Sequence, residues 1–499
     1  MIDVLLTHSY HMHFDRKQAR KMQPYPPLGT LYAAALLRQK GYRVAIFDSM
    51  LEDPERGFPE AVARHRPRMV AICEDNFNFL SKMCLTRMRE VAFGMIDFAR
   101  ARGATVLVNG SDASDRAADY LEHGADCVLL GEVEWTLVEM VESILCNSKK
   151  ACREIAGLVY LDPSRRTLTR TAPRPLMRNL DVLPFPARDL VDIGRYKEVW
   201  KQAHGYFSLN LVASRGCPYR CNWCAKPIYG DSFHVRTAES VAREMEELKV
   251  QYDANHLWFA DDTFGLQSKW VDELAGQVEQ RQAAVPFKMQ CRADLMKEST
   301  VNALRHAGCA EVWMGVESGS QKILDAMEKG LQVEQVRHAT EILRRAGIRA
   351  CFFLQFGYPG ETWVDIRKTV DLVKQTRPDD IGVSVSYPLP GTRFHARVRE
   401  QLGEKTNWMD SEDLSMMFQG PYTSEFYRAL HAALHAEVAT WAAPDGWKPS
   451  GPQAAACTAE ADLARLHELW ALVEQMERQC QSPDPTPLPA LAFSGAITG

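Results

Sequence analysis

The chain has 499 residues, 46% hydrophobic and 25% charged, with a formal net charge of −5, which suits a large two- or three-domain protein and argues against a general nucleic-acid binder. Its 13 cysteines are too thinly spread for a disulfide scaffold, and the segment from Met1 to His8 has neither a basic nor an apolar leader pattern. No apolar run approaches the roughly 20 residues needed to span a bilayer, so a cytoplasmic protein with small-molecule or protein partners and no membrane span is expected.

Short apolar runs open the chain: Asp3 to Thr7, Arg43 to Phe47, Met69 to Cys73, Thr105 to Val108 and Asp126 to Leu130. Helical spacing fills the gaps at Thr30 to Lys40, Phe58 to His65, Leu80 to Arg102, Asp115 to His123 and Glu134 to Leu145, and Gly41, Gly103 and Gly124 fit helix C-caps. This alternation predicts a flavodoxin-like, doubly wound α/β domain over residues 1–148, with a ligand beyond the carboxyl ends of its strands. Small residues there, Gly29, Gly110, Ser111 and Gly131 (the last followed by Glu132), permit close approach of a flat or phosphorylated ligand, although glycine is also ordinary strand-to-helix punctuation. Met83 and Met88 repeat near helical spacing and are assigned to core packing.

Residues 149–204 are proline-rich and predict a linker with a hairpin, Gly157 to Leu161 against Thr167 to Arg170. Strands then recur at Phe207 to Ala213, His256 to Ala260, Phe287 to Cys291, Glu311 to Gly315, Arg349 to Phe356 and Ile381 to Ser386. Helical patterns lie between them, so residues 205–395 predict a six-unit βα barrel with its reactive groups at the strands' carboxyl ends. Helices at Ser424 to Thr440 and Ala459 to Arg478 predict a helical cap over 396–480, and the tail 481–499 reads as disordered. Trp408, Phe418, Tyr422, Phe426 and Tyr427 either line a flat pocket there or belong to a core.

Directly after the first barrel strand stands Cys217-Pro-Tyr-Arg-Cys221-Asn-Trp-Cys224. Three thiolates without a second CxxC disfavour a closed zinc site, which normally completes four protein ligands, and favour an iron-sulfur cluster with one open iron. A zinc site would have to recruit His204, His234 or a distant cysteine, and the remaining reading makes these cysteines simple buried groups. Cys73, Cys84, Cys127, Cys291, Cys309 and Cys351 lie in apolar segments and are expected to be packed thiols.

The CxxxCxxC pattern with an aromatic before the last cysteine resembles the radical S-adenosylmethionine (SAM) superfamily. Gly315-Val-Glu317-Ser-Gly-Ser, Phe259-Ala-Asp-Asp-Thr-Phe, Phe356-Gly-Tyr-Pro-Gly-Glu-Thr362 and Pro388-Leu-Pro-Gly-Thr392 extend the likeness. The front domain resembles the cobalamin-binding domain of one branch, which includes cobalamin-dependent methyltransferases and the anaerobic magnesium-protoporphyrin ester cyclase. That likeness rests on Tyr25-Pro-Pro-Leu-Gly29 and Leu130-Gly-Glu-Val-Glu-Trp-Thr136. The chain departs from the branch at Asn109-Gly-Ser-Asp-Ala-Ser, where a GGPH-like segment is usual.

The resemblance implies a [4Fe-4S] cluster on Cys217, Cys221 and Cys224, with SAM on its open iron. Gly315, Glu317 and Ser318 would contact the nucleoside and methionine, Gly357 and Gly360 the adenine, Arg292 a carboxylate, and Asp261 an amine. Glu317 also suits a helix cap, and Asp261 with Asp262 a turn. No histidine has the DxHxxG context of cobalamin mutases, and His8, His11 and His13 are expected to face solvent, so none is assigned as an axial ligand. An external one-electron donor such as flavodoxin or ferredoxin is implied. The activity implied is methylation of an unactivated carbon or phosphorus centre of a small molecule. Radical cyclisation or rearrangement, a radical enzyme whose front domain holds no cobalamin, and a non-catalytic cobalamin sensor are the alternatives.

Overall fold

The computed structural model describes residues 2–145, 152–162, 167–441 and 459–480. Its first sheet holds β1 (Val4–Thr7), β2 (Val44–Phe47), β3 (Met69–Cys73), β4 (Thr105–Asn109) and β5 (Cys127–Leu129), all parallel in the order β2-β1-β3-β4-β5. These strands are near-continuous Val, Leu, Ile and Ala runs because helices cover both faces. The hairpin β6 (Leu158–Leu161) and β7 (Leu168–Arg170) forms as expected, but β6 pairs antiparallel with β5, so this piece of the proline-rich segment completes a seven-stranded first sheet. The helix expected over Leu80 to Arg102 breaks into Phe79–Lys82 and Thr86–Ala101. Cys84 between them takes φ +54°, outside the helical basin, and the flanks of the break meet Asp262, through Lys82, and the Trp408 carbonyl, through the Thr86 amide.

The second sheet is wholly parallel: β8 (Ser208–Leu211), then β11 (His256–Phe259), β12 (Phe287–Cys291), β13 (Cys309–Glu317), β14 (Arg349–Phe356) and β15 (Asp380–Val385). A short antiparallel ladder of β9 (Ser214–Arg215) and β10 (His234–Val235) follows β8. The order is sequential and the edges β8 and β15 do not pair, which makes a partial barrel. On β12, Phe287, Met289 and Cys291 are buried beneath helices while Lys288 and Gln290 are partly exposed. Trp258, Trp313, Phe353, Gly382 and Ser384 repeat that pattern on neighbouring strands, so the concave face lines an accessible lumen.

The long loop after β1 fills the seam between the two edge strands. Toward β8, Asn210 donates to the Pro26 carbonyl (2.8 Å), Trp200 Nε1 to the Pro24 carbonyl (2.6 Å), and Tyr25 shares a hydrogen bond with Ser208 (3.0 Å). Beyond β15, Ser411 donates through Oγ to Asp15 Oδ1 (2.8 Å). One hydrophobic core therefore runs from Tyr10, Met12 and Tyr25 into the barrel. The helix Ser424–Ala439 covers β15 and the helix Trp363–Thr376 on the flank of the barrel. Trp408, Phe418, Phe426 and Tyr427 are buried there, and Tyr422 stacks on Phe426 at 4.2 Å, so all five serve packing. The Ala443–Pro452 loop and the tail after Gln481 lie outside the described residues.

Candidate functional site

β8 and β9 deliver the cysteine loop, and several buried ionic contacts hold that delivery. Glu244 lies between Arg188 (2.7 Å) and Arg236, all three within the protein. Burial raises the Glu244 carboxyl, but the two guanidinium groups more than offset this and hold it below its usual range. Arg188 and Arg236 also donate to the carbonyls of Asn210 and Val212, which stiffens the strand end. Asp261 accepts hydrogen bonds from the Ala213 amide and the Ser214 hydroxyl, so it anchors the strand extension, and burial still pushes its carboxyl up to about 6.

Arg215 couples the loop to the front domain. Its guanidinium donates to Glu132 Oε1 (2.9 Å) and Glu134 Oε1 (2.6 Å), all three side chains being at most 6% exposed. It also lies 5.2 to 5.5 Å from the rings of Tyr32, Phe77 and Tyr229. Glu132 thus spends one carboxylate oxygen on the barrel and accepts from the Met177 amide with the other. Gly216 follows at φ +79°, and a Cβ there would stand 2.0 Å from the Ser232 carbonyl oxygen, so only glycine lets the loop begin.

Within the loop, Lys226 donates to the carbonyls of Cys217 (2.8 Å) and Tyr219. Asn222 donates through its amide to Met327 O (3.0 Å) and through its side chain to Ala326 O (2.8 Å), and accepts from Tyr358 (2.9 Å). Thr263 Oγ1 donates to the Cys217 sulfur at 3.4 Å. The three thiols are half-buried. Burial raises Cys221, with Glu317 and Cys217 adding to it while Lys329 and Arg292 oppose. Burial pushes Cys224 up to about 12, with Asp262 and the other two cysteines adding and Lys82 opposing. The three cysteines thus lie near enough to influence one another, with Lys329, Arg292 and Lys82 beside them.

Among the described residues no three His, Cys, Asp or Glu side chains converge on a single metal position. A cuboidal cluster takes one thiolate per iron, so its cysteines stand apart around it, and this donor set fits such a group. The remaining expected residues lie around this volume in two ways. Glu317 adopts φ +61° at a register shift in β13, and Lys329 bonds its carboxylate at 2.9 Å beside Cys221 and Gly315. A strained non-glycine residue held by a buried ion pair at a strand's carboxyl end is a feature of working sites. Gly357, at φ +78°, donates its amide to Glu361 (2.6 Å), while Gly360 offers its carbonyl to Lys322 (2.7 Å).

Ser318 and Arg292 are instead committed to protein partners. Ser318 shares a hydrogen bond with Thr369 (3.1 Å) and accepts one from the Ser320 amide. Arg292 pairs with Asp294 (2.9 Å), donates to the Lys329 carbonyl (2.8 Å) and stacks on Tyr219 of the cysteine loop at 3.8 Å.

In the front domain, Gly29 donates its amide to Asp75 (3.0 Å), Gly110 lies against the Glu74 side chain, and Gly131 faces the Ile228 carbonyl across the domain boundary. Ser111 Oγ and Asn76 Oδ1 are buried without a partner among the described residues. Two orphaned polar atoms at the ends of β3 and β4 suit a polar ligand there. The expectation that the three loop histidines face solvent is corrected at His8, which is 1% exposed. Its Nε2 meets Asp48 at 2.9 Å and its Nδ1 meets Ser49 at 3.4 Å, so both ring nitrogens are engaged. Asp48 directly follows the neighbouring strand β2, a proximity no local pattern reveals.

Sequence reasoning singled out neither Arg215 nor Lys329 nor the Lys82–Asp262 ion pair that bridges the domains beside Cys224. Arg215 stands two residues before Cys217, and that placement was the available signal.

Residues 211–373 match the family model of the radical SAM superfamily. An uncharacterized methyltransferase of Pyrococcus horikoshii is 25% identical over 81% of this chain and 88% of its own length. The anaerobic magnesium-protoporphyrin IX monomethyl ester cyclase of Rubrivivax gelatinosus is 23% identical over 78% and 68%. Among solved structures, the radical SAM methyltransferase TsrM of Kitasatospora setae superposes with TM-score 0.65 at 21% identity, over 80% of this chain and 75% of that one. The cobalamin-dependent radical enzyme OxsB superposes with TM-score 0.71 at 15% identity, over 96% and 72%. With its three-cysteine loop at the mouth of a partial barrel and a parallel-sheet domain packed against it, the chain carries a radical SAM domain over residues 211–373 and shares the two-domain fold of TsrM and OxsB.

Proposed function

We propose that the chain is a cobalamin-dependent methyltransferase acting on an unactivated carbon or phosphorus centre of a small molecule. The observation that carries this reading is the coupling of the cysteine loop, through Arg215, to Glu132 and Glu134 of the front domain, at the strand ends where a cofactor would lie. On this reading residues 1–148, joined by the β6–β7 hairpin, hold cobalamin, and 205–395 form the catalytic barrel. When bound, a [4Fe-4S] cluster and SAM supply a 5′-deoxyadenosyl radical, and cobalamin supplies the methyl group.

The chain's own residues bind, orient and exclude water. Cys217, Cys221 and Cys224 would hold the cluster, while Lys226 and Asn222 fix the loop that carries them. Glu317, held by Lys329, presents a fixed carboxylate to the methionine or ribose portion of SAM, with Gly315 leaving room beside it. Gly357 and Gly360 would pass close to the adenine, their turn held by the contacts to Glu361 and Lys322. Ser318 and Arg292 act by positioning, the first through Thr369 and the second beneath Tyr219. Asn76 and Ser111 offer hydrogen bonds to the periphery of cobalamin. A flavodoxin or ferredoxin is the expected electron source.

The test is anaerobic reconstitution with reductant and SAM carrying a labelled methyl group. 5′-Deoxyadenosine and a labelled product are expected, and neither from the C217A/C221A/C224A variant. A product without the label would replace methyl transfer by the cyclisation chemistry for which the Rubrivivax relative is named.

A further inference from the structure

The lumen of the partial barrel holds one feature that the radical machinery does not use. Lys288 lies on β12 facing inward, in register with Trp258 on β11 and Glu311 on β13. Its register neighbour does not pair with it. Glu311 turns to Arg349 across β14 (3.1 Å) and accepts from Trp313 Nε1 (2.6 Å), and among the described residues no carboxylate forms an ion pair with Lys288.

The Lys288 ammonium instead stands 5.5 Å from the Tyr25 ring and 5.7 Å from the Trp258 ring, which are themselves 4.7 Å apart. An ammonium partly withdrawn from water without an ion-paired carboxylate carries a cost, and two cation–π contacts offset only part of it. Burial lowers its pKa accordingly, Glu311 being the main opposing charge.

The surroundings say what would compensate it. Trp313 and Phe353 stack at 4.8 Å on the next strands, and a side chain at Gly382 would collide with Phe353, so this wall is flat and apolar. Arg292, stacked on Tyr219 of the cysteine loop, follows the last residue of β12 and lies four residues beyond Lys288, roughly 13 Å away at about 3.3 Å per residue. A ligand spanning that distance has its acidic end at Lys288 and its far end near the loop.

We propose that Lys288 is the anchor for the anionic group of the substrate, an organic acid whose flat unsaturated body lies along Trp258, Trp313 and Phe353. The assignment rests on the lumen being the substrate chamber of the radical enzyme proposed above. It also gives the β1 loop a role, since Tyr25 from that loop completes the wall beside the lysine.

The test is calorimetric titration of the reconstituted full-length chain, without reductant or SAM, with 2-naphthylacetate, 2-naphthylmethylphosphonate and the neutral 2-naphthylethanol. At least one acid should bind about ten-fold tighter than the alcohol, K288M should erase that preference, and K288R should keep most of it, at unchanged thermal midpoints. A preference confined to one acid identifies the headgroup as carboxylate or phosphonate. Acids that bind no tighter than the alcohol, or a preference that K288M retains, would overturn the assignment. Because binding needs no turnover, a missing labelled product alongside an intact anion preference sinks the methyltransferase reading and leaves this site standing.

Discussion

Replacing Arg215 by methionine tests whether the two domains are coupled as described. The substitution keeps the length of the side chain and removes a charge that two carboxylates share at 2.9 and 2.6 Å in a place at most 6% exposed. Burial already raises the Glu132 carboxyl even with the guanidinium present, so it depends on its partner. Breaking a buried ion pair from one side costs about 3–5 kcal/mol, because a charge is left without compensation. The cation–π contacts with Tyr32, Phe77 and Tyr229 add to the loss. R215M should therefore lower the urea midpoint of the transition involving the front domain and reduce the iron retained per chain, since Arg215 leads directly into Gly216 and Cys217. The triple variant R215M/E132Q/E134Q should recover much of the stability by removing the stranded carboxylates. A loss below about 1 kcal/mol for R215M, as at an ordinary surface site, or a triple variant less stable than the single one, would refute the reasoning.

Three further outcomes follow from single contacts. G216A should fail to hold a cluster, read as iron and sulfide per chain, because its Cβ would meet the Ser232 carbonyl oxygen at 2.0 Å. Retention of normal iron would show that the loop opens easily. Burial pushes the Glu361 carboxyl up to about 8 from an ordinary value near 4.5, so the folded chain holds a proton that the unfolded chain has released between those values. The stability this group contributes is full below about 4.5 and is lost as pH rises through 8, by at most on the order of 4 kcal/mol. E361Q, which keeps an acceptor for the Gly357 amide, should flatten that slope in denaturation measured from pH 5 to 9, and an unchanged slope would remove Glu361 as its source. Beside β5 of the first sheet, the close approach of Cys127 and Cys152 lowers the Cys152 thiol and raises that of Cys127. Iodoacetamide at pH 7 should label Cys152 faster than Cys480, and C127A should slow it about ten-fold by peptide mass spectrometry; equal rates would contradict the pairing.

The elements that proved legible were those whose signal is local. Five apolar strands, three of them preceded by helices that end near Gly41, Gly103 and Gly124 at positive φ, announce a parallel sheet because burial on both faces selects unbroken apolar runs. The cysteine loop was legible because metal-ligand spacing is itself a short-range pattern. The helix over Leu80 to Arg102 was not read correctly, since the break at Cys84 answers to Trp408, whose carbonyl accepts from the Thr86 amide more than three hundred residues away. His8 misled for the same reason: its burial depends on Asp48 and Ser49, which a crossover helix brings to the adjacent strand.

By itself, then, the sequence determined the kinds of element, their order, and the three thiols of the cluster loop, because periodicity and ligand spacing are written within a few residues. Only the tertiary structure decided which charges face one another. It gave Glu132 and Glu134 to Arg215 and Glu317 to Lys329, left Lys288 without an ion-paired carboxylate among the described residues, and used the β1 loop to close the seam between β8 and β15. Such pairings join residues from a dozen to nearly two hundred positions apart, and their energy depends on removal from water, a property of the assembled interior that no short segment carries.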